Sequence, residues 1–284
     1  MPNTYDALVP EVWAAEVVLA RNANRRVFQT VTQPLESEFS EGDTIHFPVY
    51  SNFTTGDAAD NGTENAVSSR SFSTVDLLIN THKYVAAHYT KKELKQIAKN
   101  ARYEQNEQRL MGEALSKKLE LDILTAMIAG AGSTINFASG ITKAELARLT
   151  RIYDALEVPQ EDRFLVVDAY GKEDILSIDS LTKVNEAGKV GEALLSRGEV
   201  GPGFLGNYFG WNVILSPIVP TSAGSPSKQQ AIAYTTGSFG TAVQQGVDLS
   251  MDYRTLKIGM DVLADTLYGN KVLRATEITV VTLN

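Results

Sequence analysis

The fold is indicated by two extended runs of sequence, DTIHFPVY at residues 43–50 and STVDLLI at residues 73–79. The first run alternates apolar Ile, Phe and Val with polar neighbours, and the second is rich in residues that favour strands. Residues 51–70, which join them, are almost all Ser, Thr, Asn, Asp, Gly and Ala. A two-stranded ribbon is only marginally stable alone in water, and a long connection without structure is usually functional or disordered. The pattern therefore predicts a projecting hairpin that packs on another copy of the chain.

Composition narrows the classes of function. The chain has 284 residues, 34 acidic and 26 basic side chains, a net charge of −8 and no cysteine. Disulfides, thiolate metal sites and cysteine nucleophiles are therefore excluded, and the acidic balance argues against a dedicated nucleic-acid binder. Residues 36–82 carry a net charge of −7, whereas residues 83–130 carry +3. This reversal indicates either electrostatic complementarity between copies or two ordinary solvated faces.

The first residues predict an arm and no export signal. A basic stretch followed by an apolar one, the pattern of a secretion signal, is missing from residues 1–6. The apolar stretch at residues 9–20 contains two Glu and is far too short to span a membrane. Pro10 suits the first turn of a helix, and we predict one short helix that runs to about Phe28.

A change to helical periodicity follows the second strand. The spacing of apolar residues predicts a short helix at residues 91–97 and a long helix from Tyr103 to about Ile128, which ends at the sequence GAG. A helix of this length would span nearly 40 Å at ~1.5 Å per residue. We interpret it as a spine.

A second region begins at Gly140. The sequence TKAE at residues 142–145 is a capping box, and it predicts a helix that stops before Pro159. Further predicted elements are a strand at 163–167, a helix at 172–178, strands at 208–215, 231–235 and 247–251, a long strand around 256–262 that turns at 268–270, and short closing strands at 272–273 and 278–281. Helices and strands mix without regular alternation, so we predict an α+β fold.

Motifs for chemistry are weak throughout the chain. The sequence GPGFLG at residues 201–206 matches GxGxxG, but a strand-like segment follows it and Pro202 removes one N–H donor, so a dinucleotide site is not expected. His46, His82 and His88 match no zinc spacing and are expected to be surface or cross-strand residues. No catalytic, cofactor-binding or metal-binding residue is predicted, and no cofactor. The adjacent carboxylates at 161–162 and at 173–174 do not face one another on a helix. The glycosylation sequons at 52–54 and 61–63 are interpreted as chance matches.

Several short motifs, in this order, resemble the major capsid proteins of tailed bacteriophages, which have the Hong Kong 97 shell fold. The resemblance covers nearly the whole chain, and its segments are VPEVWAAE at 9–16, GDTI at 42–45 with Pro48, VP at 158–159 with RFLVV at 163–167, Gly206 with FGWNV at 209–213, SP at 216–217, VP at 219–220, and YGNKVLR at 268–274. Each segment is degenerate, and their order carries the resemblance.

The resemblance implies a division of the chain. Residues 1–35 would be an N-terminal arm and residues 36–82 the extended loop, a β-hairpin. Residues 83–138 would form a peripheral domain with the spine helix, and residues 139–250 an axial domain. Residues 251–284 would be C-terminal strands that return to the peripheral domain.

The resemblance also implies a structural function rather than an enzyme. Copies of the chain would form pentamers and hexamers of an icosahedral shell around packaged double-stranded DNA, in a virion assembled in the host cytoplasm. Some relatives crosslink a loop lysine to a neighbour's asparagine, but this chain has no lysine before Lys83. We therefore expect a shell held non-covalently, with separate portal, scaffolding and cement proteins as candidate partners. No sequence-specific DNA binding and no membrane are expected.

Three alternatives remain open at this point. One is a tail or fibre structural protein, although the repeats or trimeric β patterns that such proteins more often show are absent from the sequence. The same shell fold occurs in encapsulins, compartments that hold enzymes, and enclosed DNA or an enzyme cargo would separate the two. A soluble α+β enzyme, suggested by composition alone, predicts a compact small oligomer with an ordered pocket. Triangulation number, host and maturation state are not encoded in any readable pattern.

Overall fold

The computed structural model describes residues 27–33, 42–50, 72–92, 101–178, 204–223 and 226–283. Three α-helices have both ends within these residues: α1 Ala101–Ala129, α2 Lys143–Ala155 and α3 Ala169–Ser177. The strands are β1 Thr44–Tyr50, β2 Phe72–Leu78, β3 Thr81–Thr90, β4 Ser133–Phe137, β5 Arg163–Val167, β6 Phe204–Tyr208, β7 Trp211–Leu215, β8 Gln229–Thr235, β9 Phe239–Arg254, β10 Gly259–Val272 and β11 Thr279–Leu283. The predicted α+β class is confirmed.

The first two strands form the predicted hairpin. β1 and β2 pair antiparallel in a two-stranded sheet of their own, with Thr44 opposite Leu78 and Tyr50 opposite Phe72. The alternation read from the sequence places Ile45, Phe47 and Val49 on one face. The connection between the strands, at residues 51–71, lies outside the described residues.

A three-stranded antiparallel sheet follows, with the order β3-β10-β9. One face packs on the first half of α1, where Met111 and Leu115 contact Val262 and Ala264. The sequence analysis did not predict β3 as a strand. Its inward positions are occupied partly by small residues such as Ala87, so the alternation between large apolar and polar residues is weak. The pairing with β10 identifies the segment as a strand.

The larger sheet has six strands in the order β4-β11-β8-β5-β7-β6. Its two faces are both covered, because α2 and α3 pack on one face and the second half of α1 packs on the other. Burial on both sides explains why β5 and β8 are almost continuously apolar in sequence. In β5, Leu165 and Val167 contribute to the first layer and Val166 to the second.

The long helix α1 connects the two larger sheets. Its first half contributes to the core of the three-stranded sheet, and its second half places Leu119, Ile123 and Met127 in the core of the six-stranded sheet. At 29 residues it spans about 43 Å at ~1.5 Å per residue. The predicted spine helix is confirmed, and it begins two residues before the predicted start.

Caps define the two shorter helices. Thr142 is the N-cap of α2 and its hydroxyl accepts from the N–H of Glu145 at 3.3 Å, as the capping box predicted. α3 begins at Ala169 rather than at residue 172, because the side chain of Asp168 accepts from the N–H of Gly171 at 2.8 Å. The sequence analysis therefore missed an N-cap that lies four residues before the predicted start of the helix.

Three predicted strand boundaries are wrong. The single strand expected at 208–215 is a hairpin of β6 and β7, turned by Phe209 and Gly210 with φ of 52° and 82°. Residues 255–257 form a 3₁₀ turn between β9 and β10, so the strand expected around 256–262 begins only at residue 259. The turn expected at 268–270 does not occur, because β10 continues there in register with β9.

The last strand also differs from the sequence prediction. Residues 251–284 were expected to return to the peripheral part, but β11 lies between β4 and β8 in the six-stranded sheet. β11 is parallel to β4, which was placed on the peripheral side of the boundary at 138. β9 crosses the boundary at 250 and pairs along its length with β10. Local pattern does not encode such long-range pairing.

Residues 27–33, at the end of the predicted arm, pack on the body of the same chain. Val27, Phe28 and Val31 are buried in the layer between α1 and the six-stranded sheet. The N–H of Thr32 donates to the carbonyl of Phe239 at 3.1 Å. The predicted helix from Pro10 lies outside the described residues, apart from its last positions.

Candidate assembly interface

The hairpin is packed on the body at its base. Leu77 and Ile79 of the returning strand are buried with Ala242 of β9, and Leu267 of β10 packs against the same cluster. Within the part of the chain that the structure describes, this cluster reaches no further along β1 than Phe47. Val75, directly opposite Phe47, and Val49, farther out on the same face, are only half-buried. An apolar face thus continues beyond the surface that supports it.

The opposite face of the hairpin is polar. His46 lies directly opposite Asp76, and its Nδ1 is 2.6 Å from the Asp76 Oδ1. Both side chains are more than half exposed. Exposed pairs of this kind contribute about 0.2–1 kcal/mol at most, so they set the register of the two strands more than their stability.

All three histidines of the chain make such cross-strand pairs with aspartates. His82 Nε2 is 2.6 Å from Asp265, and His88 Nδ1 is 2.5 Å from Asp261, both between β3 and β10. These are the cross-strand positions that the sequence analysis expected for the histidines. Among the described residues, no three His, Asp or Glu side chains are grouped so that they could hold a metal ion.

The hairpin of β9 and β10 ends in an exposed apolar turn. Leu256 is fully exposed and Ile258 is 61% exposed, with Ile258 in the left-handed region at φ 48°. Below the turn, on the outer face of the sheet, Arg254 contacts Asp252 at 3.2 Å and Asp261 at 3.3 Å. The sequence analysis missed this turn. The available signal was the break between two alternating apolar runs, 247–251 and 260–264.

The charges around this turn depress one pKa. The hydrogen bond from His88 holds the pKa of Asp261 below its ordinary value, and the nearby charges of Lys257 and Arg254 act in the same direction. The carboxylate is therefore the form that the folded sheet favours. A shallow concavity of about 380 Å³ lies beside it, lined in part by His88, Asp252 and Arg254.

We expect Asp261→Asn to remove a small, pH-dependent part of the stability. Because the folded state lowers the pKa of Asp261, its contribution is present above the ordinary value of 3.8 and is lost as the pH falls through the lowered value. The melting temperatures of the wild type and the variant should therefore differ near neutral pH and converge once the pH falls below the lowered pKa. A difference that grows on acidification would contradict this assignment.

The remaining sequence candidates are dispersed. Gly206 of the glycine motif lies in β6, and β7 rather than a helix follows it. The carbonyl of Glu161 accepts from the side chain of Asn212 in the turn before β5. Asp174 of α3 accepts from the N–H of Ile141 at 2.8 Å. The two sequons lie outside the described residues.

The described helices include none that is long and apolar enough to cross a bilayer.

Comparison with solved structures identifies the fold. A protein of Mycobacterium phage Che8 superposes with a TM-score of 0.71 and 19% identity over 89% of both chains. The capsid of the cyanophage P-SCSP1u gives 0.69 and 14% over 91% of this chain and 88% of that one. A virus-like particle from Pyrococcus furiosus gives 0.62 and 13%, over 95% and 98%. No family model matches the sequence, and no curated protein matches it significantly.

The chain therefore has the shell fold of phage capsid subunits, as the resemblance implied. The match extends over about nine-tenths of each chain. At these identities the likeness establishes the fold, and function has to be argued from the chain's own surfaces.

Proposed function

We propose that this protein is a major capsid protein, a structural subunit whose copies assemble into an icosahedral shell around double-stranded DNA. The observation that carries the proposal is the β1–β2 hairpin, which is supported at its base and continues outward with an apolar face that is only half-buried. The fold shared with phage capsids supports the same conclusion. A subunit with such a face gains stability when an identical neighbour covers it.

The proposed mechanism is burial between copies. Covering the remaining exposed part of a half-buried valine contributes at most about 1 kcal/mol, and the contact is repeated for every subunit of the shell. The net charge of −7 on residues 36–82 and of +3 on residues 83–130 would guide one copy onto the next. Pentamers and hexamers built in this way would close around the genome without sequence-specific DNA contacts.

The proposed assembly is non-covalent and non-enzymatic. The first lysine of the chain is Lys83, in β3, so residues 36–82 have no lysine from which a crosslink could form. Portal, scaffolding and cement proteins are proposed as separate partners, and the virion, assembled in the host cytoplasm, as the site of function.

A second candidate is a shell that holds protein cargo. The virus-like particle from Pyrococcus furiosus matches 95% of this chain and 98% of its own, which favours an encapsulin-like compartment as the alternative. The two candidates share the assembly mechanism and differ in the contents of the shell.

Negative-stain electron microscopy of the purified protein, alone and with the products of neighbouring genes, tests the proposal. We expect closed particles that protect double-stranded DNA from nuclease when they are isolated from an infected host. A protein cargo without DNA would favour the alternative. A monodisperse monomer or small oligomer under all these conditions would contradict both candidates.

A further inference from the structure

The direction in which the hairpin projects depends on a close backbone contact at Gly269 of β10. A Cβ built at this position would lie 2.4 Å from the carbonyl oxygen of Leu78 and 2.9 Å from the Cδ2 of Leu77. Separations below 3.0 Å between such atoms are not tolerated without movement. The hairpin base can therefore lie against β10 at this height only because residue 269 has no side chain.

A second contact, from β9, holds the other strand of the hairpin. The Nε2 of Gln244 donates to the carbonyl oxygen of Gly42, just before β1, at 2.7 Å. Gln244 lies where β9 and β10 lose register: the pairs Asp265–Asp248 and Tyr268–Val243 are three residues apart on β10 and five apart on β9. Such bulges redirect side chains and increase the local twist of a strand. Here the bulge turns the Gln244 side chain toward the base of the hairpin.

These two contacts hold the two strands of the hairpin at its base. If the base moves at one contact while the other stays fixed, the hairpin tilts. For contacts about one strand spacing (~5 Å) apart, a shift of ~0.8 Å at Gly269 tilts the hairpin by roughly 10°. Over the seven residues of β1, at ~3.3 Å each, the outer end is displaced by ~4 Å. That distance approaches a full strand spacing, which is enough to misplace an apolar face on a neighbour.

We propose that Gly269 and Gln244 are positioning residues for assembly, which set the projection angle of the β1–β2 hairpin and thereby decide whether copies close into a shell. The inference rests on the proposed shell function and assigns its geometric control to two residues of the body, neither of which belongs to the hairpin. The occupant of the aligned hairpin face is a second copy of this chain.

The projection angle can be measured in the subunit, independently of assembly. Because the chain has no cysteine, Thr74→Cys on the hairpin and Ser250→Cys on β9 introduce the only two thiols, and both positions are exposed. Spin labels there report the distance by double electron–electron resonance. Thr74 lies four residues from Leu78, so the same tilt displaces it by ~2 Å at ~3.3 Å per residue. We expect Gly269→Ala to shift the distance distribution by about that amount and to abolish closed particles.

Two matched variants separate positioning from simple destabilisation. Gly237→Ala makes the same change in the 3₁₀ turn before β9, outside the bulge, where an added Cβ meets nothing within 4 Å, and it should leave the distance and the particles unchanged. Gln244→Ala removes the hydrogen bond to Gly42 without introducing a steric clash. It should broaden the distance distribution, with loss of closed particles. Circular dichroism and thermal melting of each variant verify that the subunit is folded.

The outcomes are distinguishable. An unchanged spin-label distance in a folded Gly269→Ala subunit overturns the inference. A shifted distance with a normal yield of closed particles overturns the link between angle and closure. Failure of the unsubstituted chain to form shells would refute the proposed function instead, whereas the distance measurement would still report whether the two residues hold the hairpin.

Discussion

Replacing Val49 with Asp is expected to leave the subunit folded and to abolish closed particles. Val49 lies on the apolar face of the hairpin, beyond the cluster that holds the base, and it is only half-buried in the subunit. A carboxylate there can stay hydrated in the free subunit. When a neighbour covers the face, the charge loses its water without a partner, which costs several kcal/mol. The penalty would recur at every equivalent contact of the shell, so we expect loss of assembly rather than a modest decrease.

The measurement compares particle yield with subunit stability. Sedimentation and electron microscopy report the fraction of closed particles, and thermal melting reports whether the subunit is folded. Thr74→Asp is the matched control, since it adds the same charge to the outer half of the hairpin but on the opposite, exposed face. Normal particles from Val49→Asp would show that this face is not covered in the assembly, and the proposed role of the hairpin would be wrong.

Replacing Trp211 with Ala is expected to cause the largest loss of subunit stability. The indole is fully buried between α2 and the six-stranded sheet. Its ring packs edge-on against Tyr153 with centroids 4.7 Å apart, and its Nε1 donates to the hydroxyl of Thr150 at 3.0 Å. Truncation leaves a large cavity and costs about 3–5 kcal/mol. For a chain of this size, that corresponds to a decrease of roughly 6–20 °C in melting temperature.

The environment of Tyr153 amplifies this effect. Burial raises the pKa of the Tyr153 hydroxyl, which lies 2.9 Å from the carbonyl oxygens of both Ala233 and Glu277. Trp211 therefore also holds the Tyr153 ring in the position from which its hydroxyl donates to β8 and to the turn before β11. Chemical denaturation measures the free energy of unfolding. Tyr170→Ala, which truncates an aromatic ring that is 62% exposed, should change it by less than about 0.5 kcal/mol. A loss below about 1 kcal/mol for Trp211→Ala would contradict the assigned packing.

Elements with strong local periodicity were predicted well from sequence. The spine helix, the capped start of α2 and the strand β5 match their predictions because each is decided within a dozen residues. The hairpin was recognised for the same reason, since its alternation and its polar connection are both local. β3 was missed because small residues at its inward positions give no periodic signal. The β9–β10 turn was missed because Ile258, which has a left-handed backbone conformation there, continues the apolar alternation of the sequence.

The sequence predicted that the hairpin forms an interface, but not the individual contacts that hold the hairpin in place. The sequence indicated that residues 43–79 need a partner surface, because their apolar positions have no local cover. It gave no sign that all three histidines pair with aspartates across strands, since the partners of His82 and His88 are 183 and 173 residues away. It also gave no sign that Gly269 and Gln244 support the hairpin, for the same reason of distance along the chain.

Taken alone, the order of residues determined the local conformations, the absence of thiol chemistry and the existence of an apolar ribbon without its own cover, because these depend on neighbouring side chains and on composition. Only the tertiary structure decided which sheet receives the last strand, how far the ribbon is supported and which body residues orient it. Pairings of that kind join residues from 46 positions apart, between β11 and β8, to 202 positions apart, between Gln244 and Gly42. They form where packing of the whole chain makes burial most complete.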